Sequence, residues 1–62
     1  MPRIIETLAG QFFQVRDAGA GLDHVWLGIE VKRVKGGFAA KAKAREILVR
    51  KAGTRVIATL VV

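Results

Sequence analysis

Few side chains in this sequence are equipped for covalent chemistry. Glu6, Asp17, Asp23 and Glu30 are scattered, and none falls in a paired-carboxylate or metal-binding spacing. Asp23-His24 is an adjacent pair at an expected loop-to-strand junction, and adjacent strand residues face opposite ways, so Asp23 is not placed to orient His24. Cysteine and serine are both absent, and Thr7, Thr54 and Thr59 sit in no activating motif. The absence of cysteine excludes thiolate zinc sites and disulfides alike. No catalytic residue, metal or cofactor is implied, and the chain reads as a non-enzyme.

One local motif has the chemistry of an anion site. Lys35-Gly36-Gly37-Phe38 precedes a segment of helix-forming composition, and two glycines before a helix let the backbone turn so that free N–H groups meet a phosphate. Gly36 and Gly37 are therefore a candidate phosphate turn, with Lys35 and Lys41 beside them. The motif lacks the length and terminal Lys-Ser/Thr of a P-loop and the spacing of a dinucleotide fingerprint, so ATP and NAD are not implied. A plain turn, in which glycine supplies the dihedrals, accounts for the same residues.

The charge distribution points to a partner class. Residues 32–62 carry nine Lys or Arg against Glu46 alone, whereas residues 1–31 carry Arg3 and Arg16 against four acids. The total of +6 thus conceals halves of +8 and −2. A field of one sign concentrated in one region draws an anionic partner there. DNA or RNA is the first candidate and an acidic protein the second. The candidate contacts are Lys32, Arg33, Lys35, Lys41, Lys43, Arg45, Arg50, Lys51 and Arg55, which can reach phosphates but confer little sequence choice. Asparagine, the common partner of adenine, is absent. Trp26 is a candidate for stacking on a base, with core packing as the alternative.

Elements must hold these residues in place. Ile4 to Leu8 and Phe12 to Val15 favour extended chain, either as a tight hairpin or as one strand bulged near Gly10. Residues 17–23, with two glycines and two acids, read as a loop. From His24 to Val34 the sequence alternates: Val25, Leu27, Ile29 and Val31 face a core, with Trp26 and Gly28 on the other side. Residues 38–52 are rich in Ala, Lys, Arg, Glu and Leu and predict an amphipathic helix, with Glu46 and Arg50 as an i,i+4 pair and Gly53 as its stop. Thr54 to Val62 predicts a final strand, apolar on both faces.

The expected architecture is α+β in the order β-β-β-α-β. One helix covers one face of a mainly antiparallel sheet of three or four strands, and residues 1–62 make a single small domain. A chain this short buries only about 60% of its unfolded surface. Self-association, most simply as a dimer, is expected to supply the rest, through the edge of the last strand or the helix side bearing Phe38 and Val49. No apolar run reaches the roughly 18 to 20 residues of a membrane span, and Met1-Pro2-Arg3 leads into no signal segment, so a cytoplasmic protein is expected. The functional expectation is phosphate-directed, weakly sequence-specific nucleic-acid binding, with a homo-oligomeric protein-interaction or assembly module as the alternative.

Overall fold

The computed structural model describes residues 3–59. They form six strands and no helix: β1 (Arg3–Glu6), β2 (Phe12–Asp17), β3 (Val25–Val34), β4 (Gly37–Ala40), β5 (Ile47–Arg50) and β6 (Arg55–Thr59). All pairings are antiparallel, in the order β4-β3-β2-β1-β6, and β5 joins β3 beside β4. The fold is all-β, which corrects the α+β expectation.

The β1–β2 hairpin closes as its sequence suggests. Thr7 N–H donates to the Gln11 carbonyl at 2.9 Å and Gly10 N–H to the Thr7 carbonyl at 3.0 Å. The Thr7 hydroxyl also accepts from Gln11 N–H. Gly10, at φ 80°, takes the left-handed position that ends a three-residue hairpin loop. Of the two readings of residues 3–16, the hairpin is the one formed.

The predicted helix over 38–52 is replaced by β4, a connection over 41–46, and β5. The cause is the length of β3. Its ten residues leave a long edge beyond β2, and β4 covers Val31–Val34 of that edge while β5 covers Val25–Gly28. Every residue so paired satisfies backbone groups on β3 as well as its own, whereas an isolated 15-residue helix is marginal even with good composition. Helix propensity amounts to only tenths of a kcal/mol per residue and yields to such pairing. The connection is turned by a bond from Ala44 N–H to the Lys41 carbonyl at 3.1 Å, with Lys43 in the left-handed region at φ 61°. Glu46, expected to pair with Arg50 one helical turn away, instead reaches Arg16 on β2.

The main core cluster is Ile5, Phe13, Val15, Trp26 and Val49, drawn from four strands. Alternation in β3 is as expected, but its phase relative to this core is reversed. Trp26 is 7% exposed, while Val25, Leu27 and Ile29 are half-buried on the opposite side. With no helix available, Trp26 packs among side chains of neighbouring strands, beside its cross-strand partner Val49. Ile4 and Val31 are also buried, on the other side of the strand alternation.

Gly28 makes room for this packing. A Cβ there would lie 2.8 Å from Val49 Cγ2 and 3.0 Å from Val15 Cγ1. Both neighbours are buried β-branched side chains with little rotamer freedom, so they cannot swing aside. The space next to Trp26 is thus occupied by valine methyls rather than forming a ligand groove. Gly28→Ala is expected to destabilise the fold by about 1–3 kcal/mol through overpacking, read as a lower urea midpoint at unchanged slope.

Candidate nucleic-acid interface

The nine candidate cations gather on one side of the sheet with a single exception. Lys32 and Arg33 lie in β3 and Lys35 at the β3–β4 turn; Lys41, Lys43 and Arg45 lie in the connection to β5, and Arg50 ends β5 with Lys51 next. Eight therefore belong to the β3–β4–β5 side, while Arg55 begins β6 at the opposite margin. The charge split along the sequence has become a split across the sheet.

Ion pairs sharpen it further. Arg16 grips Glu46 through two bonds of 2.9 and 3.1 Å, Lys41 meets Glu30 at 2.8 Å, and Arg55 meets Glu6, its cross-strand partner, at 2.6 Å. Such exposed pairs contribute little stability, about 0 to 1 kcal/mol each. Their effect here is selective: Lys41 and Arg55 are neutralised, and the other seven candidate cations have no carboxylate partner among the described residues. Asp17 and Asp23 stand near the start of β3, so the least compensated positive region is at its far end.

That far end is a two-stranded ribbon. β2 pairs β3 only as far as Val31, opposite Phe12, so Lys32–Val34 pair with β4 alone. Lys35 and Gly36 form a two-residue turn, with Gly36 at φ 88° in the left-handed position that a type II turn requires at its third residue. Gly37 continues into β4. The proposed phosphate turn thus lacks the helix whose free N–H groups would have formed the cradle, and Gly36 and Gly37 serve as hairpin residues.

Arg33 is held at this end by aromatic rings. Its guanidinium lies 5.4 Å from the Phe12 ring centre and 5.3 Å from that of Phe38, and the two rings are 5.6 Å apart at 55°. Register explains the grouping: Arg33 is opposite Phe38, and Phe12 is opposite Val31, one step along the same face. A guanidinium resting on rings loses rotamer freedom while its rim of N–H donors stays free for an anion. Sequence inspection missed this cluster. Its signal was present, since folding the chain about Lys35-Gly36 sets Arg33 against Phe38.

Trp26 is not part of this surface. It lies in the core with Lys51 Nζ 5.1 Å from its ring centre, which leaves no open face on which a base can stack. Among the described residues no three His, Cys, Asp or Glu side chains gather as a metal site, and no helix is long and apolar enough to cross a membrane.

These features define a small all-β domain with a cationic ribbon at one end of its sheet. Comparison with protein-family models, curated proteins and solved structures finds no match.

Proposed function

We propose that the protein binds nucleic acid through phosphate contacts made by the β3–β4 ribbon and the following connection. The observation that carries this reading is the group Lys32, Arg33, Lys35, Lys43 and Arg45, uncompensated by carboxylates among the described residues and centred on an arginine resting over two adjacent phenylalanine rings. A two-stranded β-ribbon is one of the shapes that the major groove of duplex DNA admits, and cations along it meet the flanking phosphates. Lys32 and Arg33 point to opposite faces of the ribbon, so it can address two backbones rather than one. Arg33 is the side chain best built for a bidentate contact; the lysines act as point charges. Little else on the ribbon reads bases, so affinity varies little with sequence.

Titration of labelled duplex DNA and duplex RNA of unrelated sequences at two salt concentrations tests the proposal. Binding is expected to be similar across sequences and to weaken linearly in a log–log plot against salt. Failure to bind either polymer at low salt would sink it.

A further inference from the structure

β5 presents an open edge. It pairs with β3 on one side, and on the other its backbone meets no strand among the described residues. The strand is nevertheless apolar, with Ile47 44% and Leu48 58% exposed. A groove of about 350 Å³ adjoins the strand, and its walls include Leu8 of the β1–β2 turn, Phe13, Ile47 and Val49. An unpaired, exposed and apolar strand edge is a template for adding a strand.

The sequence around this edge specifies what it would accept. Glu46 and Arg50 lie two residues to either side of Leu48, and alternation places all three on one face. If two such edges run antiparallel with Leu48 opposite Leu48, each Glu46 faces Arg50 of the other copy. The same face carries Leu27, the β3 partner of Leu48, so two copies would join their Leu27-Leu48 rows into one apolar stripe. Arg16 is the β2 partner of Leu27 and binds Glu46, which fixes the carboxylate at the margin of that stripe. Opposite charges and apolar pairs directly across a strand pairing both favour it.

We propose that the protein forms a two-fold dimer by antiparallel pairing of its β5 edges, in the register that centres on Leu48. The symmetry is closed, because each copy offers the other the same edge. A standard interface takes roughly 800 Å² from each partner, about a sixth of the 4641 Å² that one chain exposes. A four-residue edge with flanking leucines is modest on that scale, and two chains of +6 repel each other. The association is therefore reversible and concentration-dependent. This inference is independent of nucleic-acid binding, since it concerns a different edge and is tested without any polymer present.

Sedimentation equilibrium of the full chain up to high micromolar concentration is expected to show a monomer–dimer equilibrium. Leu48→Glu, at an exposed position that need not disturb the core, should leave only monomer. Two charge variants test the register. Arg50→Glu sets two carboxylates against each other at both ends, Glu46→Lys sets two cations, and each alone should abolish the dimer. An equimolar mixture of the two restores an opposite pair at each end and should restore dimer. A monomer at every concentration overturns the proposal, as does a dimer indifferent to Leu48→Glu. So does a mixture that stays monomeric, because only the antiparallel register centred on Leu48 predicts rescue.

Discussion

Trp26→Ala is expected to remove the larger part of the domain's stability, read as a steep fall in its urea midpoint at 25 °C. Truncating a buried tryptophan costs about 3–5 kcal/mol through lost burial and the cavity left behind. At 0.05–0.15 kcal/mol per residue, a domain of this length has only about 3–9 kcal/mol to lose. Trp26 belongs to the core cluster that links β1, β2, β3 and β5, so few surrounding side chains can collapse into the space without breaking a pairing. The variant also removes the sole tryptophan, so far-UV circular dichroism through a urea titration is the suitable measurement. Trp26→Phe should retain the fold at lower stability. A Trp26→Ala protein with an unchanged urea midpoint would show that the indole lies outside the core. In the native protein, the same burial predicts low access of acrylamide to Trp26 and little quenching of its emission by added nucleic acid.

The position of Trp26 shows what the sequence carries and what it hides. Alternation from His24 to Val34 located β3 and separated its two faces correctly, because a period of two is a local property of the chain. Which face lies inside is set by what covers the sheet. The expected helix would have covered Val25, Leu27 and Ile29; no helix forms among the described residues, and Trp26 instead packs with Ile5, Phe13, Val15 and Val49 of neighbouring strands. Both misreadings have one source, the segment 38–52. Its alanines and lysines favour a helix locally, while Ile47-Leu48-Val49 and the unpaired flank of β3 favour strands, and only the second consideration depends on tertiary structure.

The candidate site was legible to the same extent. Concentration of cations in residues 32–62 survives as a cationic side of the sheet, because β3, β4 and β5 are consecutive there. Which cations remain uncompensated was hidden, since Glu46 finds Arg16 thirty residues away and Glu6 finds Arg55 forty-nine away. Those partners are set by register rather than by spacing in sequence. The Arg33 cluster was hidden for the same reason, as Phe12 joins it only through the β2–β3 pairing.

Replacing Lys32, Lys35, Lys43 and Arg45 together is expected to remove most of the salt dependence of nucleic-acid binding while leaving the fold intact. The replacements can be matched to their backbone sites: Lys32→Thr suits a strand, Lys35→Gln an exposed turn and Arg45→Gln an exposed connection. Lys43→Gly removes a side chain from the left-handed conformation at φ 61°, where glycine carries no steric penalty, so this change should not destabilise the connection. Arg33 is kept because its guanidinium packs on Phe12 and Phe38. If each of the four cations meets one phosphate, the slope of log K against log salt should become shallower by roughly 0.9 per contact, or about 3.6 in total. Four contacts of that kind cost the unaltered protein roughly a hundredfold in affinity between 50 and 200 mM salt, a loss the variant should largely escape from an already weaker starting point. Unrelated duplex sequences should be affected alike, since phosphates carry no sequence information. Fluorescence anisotropy at several salt concentrations, with circular dichroism as the check on folding, measures all of this. A folded variant with an unaltered salt slope would place the phosphate contacts elsewhere and remove the ribbon from the interface.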